Sequence, residues 1–263
     1  MKQILTVAGS DSGGGAGIQA DIKAISANGG YAMSVVTAIT AQNTRAVTAV
    51  QTLAPSLIEA QLDAVFDDFD VAAVKTGMLA SSEIVACVAD ALGARHAANV
   101  VVDPVMISKS GHALLAEEAV ASLRDRLLPH ARVVTPNAHE AALLTGLDLR
   151  SVADAREAAR RIMDFGCGAV IVKGGHLDDE AQAVDVLYDG SRFEEFASDR
   201  VETTRTHGTG CTYSAALATF LGQGDDLVTA VSRAKEYITG AIANAPDIGH
   251  GHGPTHHFWR TGR

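Results

Sequence analysis

Short runs of β-branched apolar residues, each followed by a segment of helical spacing, recur along most of this chain. Residues 4–8, 33–39, 71–74, 100–102, 132–134 and 169–172 read as strands brief and apolar enough to be covered on both faces. Helical segments fall between or beside them at 18–27, 83–92, 117–128 and 152–165. Another opens at Pro55, with Leu57, Ile58, Leu62, Val65 and Phe66 on one face. An additional strand is predicted at 184–188, with Gly190 in the turn after it, and helices at 212–221 and 226–244 close the pattern. Such alternation predicts an α/β fold with a mostly parallel sheet clothed by helices on both sides. With 47% hydrophobic but only 5% aromatic residues, Ala, Val, Leu and Ile must fill the core. No linker, charge block or internal repeat divides the chain, so residues 1–263 are read as one domain.

The formal net charge of −10 argues against a nucleic-acid or anionic-membrane surface, although short-range amide cradles still admit a nucleotide. Cys87, Cys167 and Cys211 are odd in number and far apart, which disfavours a disulfide framework or a structural zinc site. No apolar run has transmembrane length, and Lys2-Gln3 leads directly into a strand; a cytoplasmic protein is expected.

In open α/β sheets, ligands gather outside the carboxyl ends of the strands. Asp11, Gln42, Lys75, Asp103, Asn137, Lys173 and the turn at 207–210 all fall at or just after predicted strand ends. The most telling stretch is Thr206-His207-Gly208-Thr209-Gly210-Cys211-Thr212, a glycine-rich turn before a helix. Backbone N–H groups at such a turn face outward with the positive end of the dipole behind them, a setting suited to a transferring phosphate. Cys211 lies in the first turn, where the same field is expected to lower a thiol pKa.

Other segments carry two readings each. Residues 9–17 (Gly-Ser-Asp-Ser-Gly-Gly-Gly-Ala-Gly) fit neither a P-loop, which lacks its lysine until Lys23, nor a dinucleotide fingerprint, whose last glycine would be Ile18. The loop is either structural or in contact with substrate, and Asp21 beyond it either meets a polar substrate group or is solvated. Asn137 and Glu140 are a helix cap with an acid in the first turn, or place Glu140 beside a hydrated Mg²⁺ that Asp103 shares. Lys173, before Gly174-Gly175, sits where an ammonium neutralises phosphate charge. His250, His252, His256 and His257 lack the spacing of a metal site.

Together these segments resemble the ribokinase-like superfamily. Within it they are most similar to the hydroxymethylpyrimidine/phosphomethylpyrimidine kinases of thiamine biosynthesis. The resemblance rests on Ala8-Gly9-Ser10-Asp11, Gly14 to Asp21, Thr40-Ala41-Gln42-Asn43-Thr44, Lys75-Thr76-Gly77-Met78-Leu79 and Asp103-Pro104-Val105-Met106. It continues through Thr135-Pro136-Asn137 with Glu140, Lys173-Gly174-Gly175-His176, the 207–212 turn, and Gly253-Pro254 before His256-His257. It implies a three-layer α/β/α fold, ATP and Mg²⁺ as cofactors, a small pyrimidine as acceptor and a homodimer.

Carried onto these positions, the resemblance has Gln42 reading the aminopyrimidine edge, Asp21 near the hydroxymethyl group, and Met78, Val105 and Gly9 around the ring. Gly208 and Gly210 belong to the anion hole, Lys173 and Thr209 contact ATP phosphates, and Asn137, Glu140 and Asp103 organise Mg²⁺. Cys211 stands where many sugar kinases carry an Asp base, which implies the pyrimidine and pyridoxal branch. Gly13 and Tyr213 depart from the Ser and Leu frequent in relatives. A pyridoxal/pyridoxine kinase is the nearest alternative; a non-catalytic pyrimidine sensor would predict missing acids or a degraded anion hole.

Overall fold

A computed structural model describes residues 1–106, 117–176 and 182–261. Among these, nine strands join one sheet in the order β3-β2-β1-β4-β5-β6-β7-β8-β9. The parallel body comprises β1 (Gln3–Asp11), β2 (Tyr31–Gln42), β4 (Val71–Thr76), β5 (Val100–Val102), β6 (Val133–Val134) and β7 (Val170–Val172). β3 (Val47–Thr52) pairs antiparallel on β2, and β8 (Gln182–Tyr188) and β9 (Phe193–Asp199) form an antiparallel hairpin against β7. Sequence reading missed β3 and β9. β3 is exposed along most of its length and β9 mixes acidic, polar and apolar residues, so neither carries the continuous apolar run that marks a buried strand.

Successive strand residues feed opposite cores, as the two-residue period of a pleated strand requires. Leu5, Val7, Val74, Val100, Val102 and Val134 face α2 (Pro55–Phe66), α3 (Ser82–Ala94), α5 (Ala138–Thr145) and α6 (Val152–Met163). Ile4, Ala73, Val101, Val133 and Ile171 face α1 (Gly17–Ala27), α7 (Thr209–Gln223) and α8 (Leu227–Ala243). This is the expected three-layer arrangement. The predicted helix at 117–128 is α4 (Glu117–Ser122), followed by a wider turn at Leu123–Leu127 and a tight turn at Leu128–His130. No helix among the described residues is long and apolar enough to cross a membrane.

Two features of this topology place the site. β1 lies between β2 and β4, so the chain leaves it first to one side and then to the other, and a crevice opens at that switch point. α7 runs behind the sheet with its N-terminus at the same carboxyl edge, sealed so well that every residue from Thr212 to Gly222 is buried.

Candidate active site

A cavity of about 1070 Å³ opens along the carboxyl edge of the sheet. Gly9, Gln42, Met78, Val105 and Cys211 line it. Asn137, Glu140, Leu143, Val201, Thr209, Ile238 and Ile242 line it too, with Asp103, Lys173, Gly208 and Gly210 also in the wall. Twelve of the thirteen candidate residues therefore share one space, brought from six strands and two helices that are distant in sequence.

Asp21 is the exception. It is wholly enclosed beneath α1, where Lys75 Nζ stands 3.0 and 2.8 Å from its two oxygens and Thr6 Oγ1 donates at 2.6 Å. It does not reach the cavity wall, so the expected contact with a hydroxymethyl group is corrected. The helical period that turns Gln19 to the end of β1, where it bonds Ser10 and the Asp11 amide, turns Asp21 into the core.

The turn before α7 has the anticipated form. Gly208 caps the helix in the left-handed region at φ 76°, and no side chain caps the first turn. A Cβ at Gly208 would run into the Gly15 carbonyl, so only glycine fits this close approach. Of the amides expected to converge here, that of Thr209 already donates to the Thr206 carbonyl at 3.3 Å. Helix geometry leaves those of Gly210 and Cys211 without an intrahelical acceptor. A Cβ on Gly210 would lie 3.2 Å from Lys173 Nζ and 3.5 Å from Asp103 Oδ2, which puts the Lys173–Asp103 pair directly beside this turn.

That pair is buried and tight. Lys173 donates to Asp103 Oδ1 at 2.9 Å, Thr135 donates to the same oxygen at 3.2 Å, and Ser214 donates to Oδ2 at 3.3 Å. Burial alone would raise the Asp103 pKa; Lys173 and Lys75 outweigh it and hold the carboxyl below its usual range. Glu140 is different. Burial pushes it up to about 7, Lys173 opposes this, and the Asp103 charge adds to it. It also completes a reciprocal cap, accepting from the Asn137 amide at 2.8 Å while Asn137 Oδ1 accepts from the Glu140 amide at 2.9 Å. Of the two sequence readings of this pair, the cap is formed, and the Glu140 carboxylate also borders the cavity.

The Cys211 thiol runs opposite to expectation. Burial pushes its pKa up to about 11; Lys75 counteracts, while the Asp21 and Asp103 charges add to the rise. The helix N-terminus favours thiolate, but desolvation of the sulfur among the packed side chains and backbone around it is the larger effect. The resting site therefore holds a thiol.

As for divalent metal, no group of three or more His, Cys, Asp or Glu side chains among the described residues is arranged to hold an ion. Asp103 Oδ1 is taken by Lys173 and Thr135, while Oδ2 meets only Ser214 Oγ at 3.3 Å, a hydroxyl that lies nearer the Gly210 carbonyl at 2.9 Å. One carboxylate beside a phosphate site still suits Mg²⁺, which keeps several waters and binds through one or two carboxylates plus phosphates. Of the carboxy-terminal histidines, His257 is a structural residue: its Nε2 meets Thr212 Oγ1 at 3.0 Å and burial lowers its pKa to about 4.

Three features escaped sequence reading. Asp185 and Lys235 form a buried pair at 3.1 Å on the cavity wall, and Asp185 also accepts from the Gly174 amide at 2.9 Å. The signal was an acid within the apolar run Val184-Asp185-Val186. The Tyr213 hydroxyl, also at the wall, is buried without a hydrogen-bond partner. His207 joins Asp11 at 2.8 Å and adjoins Gln42 at 3.4 Å.

A glycine turn at a helix N-terminus, an adjacent lysine and a switch-point cavity on this sheet are the features of a ribokinase-like small-molecule kinase. The model of the family described as Phosphomethylpyrimidine kinase matches residues 11–256, and the chain belongs to that family. It is 53% identical to a hydroxymethylpyrimidine/phosphomethylpyrimidine kinase of Rhizobium meliloti, with 97% of each chain covered. It is 51% identical over 97% of its length to a thiamine biosynthesis bifunctional protein of Geobacter sulfurreducens, but spans only 52% of that relative. Among solved structures, an ADP complex of Bacillus subtilis pyridoxal kinase superposes with TM-score 0.93 at 40% identity, covering 99% of both chains. A phosphomethylpyrimidine kinase of Clostridium difficile gives TM-score 0.82 at 45% identity, covering 92% of this chain and 100% of that one.

Proposed function

We propose that this chain transfers the γ-phosphoryl group of ATP to 4-amino-5-hydroxymethyl-2-methylpyrimidine, and then a second one to the resulting monophosphate, in thiamine biosynthesis. The observation that carries this reading is that the Gly210–Cys211 turn shares one cavity with Gln42, with the Lys173–Asp103 pair beside the turn and the apolar Leu143, Val201, Ile238 and Ile242 also in the wall.

The pyrimidine lies between Gly9, Met78 and Val105 with its polar edge on Gln42, and the purine lies against those apolar residues. Phosphates run past Thr209 and Lys173 to the free amides of the turn. The acceptor oxygen bonds to the γ-phosphorus as the bond from that phosphorus to the bridging oxygen breaks and ADP leaves. Most of the acceleration comes from alignment and from positive charge and N–H groups aimed at the transferring group. Mg²⁺ would supply charge neutralisation on the phosphates when bound, and Glu140, backed by Asn137, is the residue that would hold it through water. The alcohol must lose a proton and Cys211 takes it as thiolate; the monophosphate is already anionic and needs no acceptor.

We place the enzyme in the cytoplasm as a homodimer. Ile39 on β2 and Val50 on β3 are each exposed, one register position apart at this edge of the sheet, and sedimentation velocity tests self-association. Pyridoxal is the second acceptor worth measuring, given the likeness to a pyridoxal kinase. ATP consumption with hydroxymethylpyrimidine, its monophosphate and pyridoxal decides the assignment. No turnover of either pyrimidine would overturn it.

A further inference from the structure

Asp11, at the end of β1, is the hub of a loop in the cavity wall. Its Oδ1 accepts from the Gly13 amide at 2.8 Å, and its Oδ2 accepts from the Gly15 amide at 3.1 Å and the Ala16 amide at 2.9 Å. His207 Nε2 lies 2.8 Å from the same Oδ2. Burial raises the Asp11 pKa, but His207 and these amides together hold it below the ordinary range. An ionised carboxylate only accepts, so His207 Nε2 must carry its proton and point it at Asp11.

This fixes what His207 offers to Gln42. The Gln42 backbone is latched, its amide donating to Ser12 Oγ at 2.8 Å and its carbonyl accepting from the same hydroxyl at 2.7 Å. The side-chain amide stands with Nε2 3.4 Å from His207 Nε2 and Oε1 3.1 Å from Thr40 Oγ1. Neither contact balances in protons. The one proton on His207 Nε2 is directed at Asp11, so two N–H groups would face each other. The one proton on Thr40 Oγ1 is claimed by the Ser10 carbonyl at 2.9 Å. Turning the carboxamide by a half-rotation resolves both at once: Nε2 donates to Thr40 Oγ1, and Oε1 meets the N–H edge of His207.

We propose that the Asp11–His207 pair locks the Gln42 amide in this turned orientation. His207 is thereby a positioning residue that selects a pyrimidine offering an amino group beside an unprotonated ring nitrogen. This rests on the proposed reading of Gln42 as the residue facing the pyrimidine edge. A carboxamide presents one donor and one acceptor side by side, and a half-rotation exchanges them. A 4-amino pyrimidine and its 4-oxo counterpart present the complementary pair in opposite orders, so only one matches a locked amide. The acceptor cannot compensate by turning over, because its hydroxymethyl group must stay at the Gly210–Cys211 turn. With His207 unable to donate, the amide rotates to suit either ring.

The test compares kcat/KM for the 4-amino substrate and its 4-oxo counterpart in wild type, His207→Phe, His207→Gln and Gln42→Ala. Wild type prefers the amino compound by about a hundredfold or more, because the oxo ring leaves buried polar groups mispaired. In His207→Phe the preference shrinks by at least about tenfold, since discrimination carried by hydrogen-bond order is lost, with KM for ATP within about twofold of wild type. His207→Gln, which restores an N–H donor towards Asp11 and Gln42, recovers much of the preference. A preference retained in His207→Phe, including an equal loss for both substrates, overturns the proposal and reduces His207 to packing. An unchanged pyrimidine KM in Gln42→Ala removes Gln42 from the substrate, and the lock falls with it. If Gln42→Ala weakens the pyrimidine but His207→Phe keeps its selectivity, the lock alone falls. Should His207→Phe not fold, NMR on the wild-type protein decides: the Gln42 amide protons give cross-peaks to the Thr40 methyl if the lock is right, and to the His207 ring Hε1 proton if it is wrong.

Discussion

Lys75 Nζ stands 2.8 Å from Asp21 Oδ2, and both side chains are entirely shut off from solvent. The pair bridges β4 and α1 directly beneath the thiol of Cys211, whose pKa Lys75 lowers and Asp21 raises. Because desolvation of a buried ion is costly, removing one partner hurts far more than removing both. Lys75→Met is expected to cost about 3–5 kcal/mol in urea unfolding, and the double variant with Asp21→Leu to recover more than half of it. A loss below about 1 kcal/mol for Lys75→Met would show that the pair does not carry an uncompensated charge when broken.

The raised thiol of Cys211 makes the two phosphorylations respond differently to pH. With a pKa of about 11, the thiolate is a small minority near neutrality and grows as pH rises. The rate constant for the alcohol should climb by about tenfold per pH unit between about pH 7 and 9, while that for the monophosphate stays nearly level. Cys211→Ala should abolish the climb and slow the alcohol step by about a hundredfold or more, sparing the second step. Equal losses in both steps would reject Cys211 as the proton acceptor.

Gly208→Ala tests the cradle itself. Its left-handed backbone and its contact with Gly15 leave no room for a methyl group, so the turn must shift and carry the Gly210 and Cys211 amides with it. Losing aligned donors of this kind costs about 10²–10³ in kcat. Both phosphorylations should fall together, in contrast to Cys211→Ala, with the unfolding midpoint lower as well. Single-turnover measurements that find kcat intact would place the transferring group elsewhere.

Glu140 gives a pH signature to the stability of the metal-free protein. Burial raises its pKa to about 7 from the ordinary 4.5, so folding binds a proton between those values. The sign follows: stability contributed by this group is present at the acid end and is lost as pH rises towards 7. Glu140→Gln keeps the oxygen that accepts from the Asn137 amide but removes the charge. Its stability relative to wild type should improve by about 2 kcal/mol between about pH 5 and pH 8, followed by differential scanning calorimetry. A constant difference across that range would mean that the carboxyl titrates normally.

Much of the fold was legible because buried parallel strands announce themselves. Val100-Val101-Val102 cannot be other than interior, and its two-residue alternation feeds both cores. The reciprocal cap of Asn137 and Glu140 was readable from a spacing of three residues, since that geometry is local. β3 and β9 were not readable, because an edge strand with a wet face has little apolar signal. Asp185 and Lys235 lie fifty residues apart in the chain, and nothing in either segment says that they meet.

What the chain's residues settled by themselves is therefore local or periodic: the parallel sheet, the helix starts, the glycine turn of positive φ before α7, and the chemistry waiting at the strand ends. Only the folded arrangement decided that Asp21 turns inward to Lys75, that Cys211 is held as a thiol, and that Asp11, His207 and Gln42 come together. The reason is physical. Backbone geometry and apolar period depend on neighbours a few residues away, whereas pKa and hydrogen-bond direction depend on burial and on charges that arrive from remote parts of the sequence.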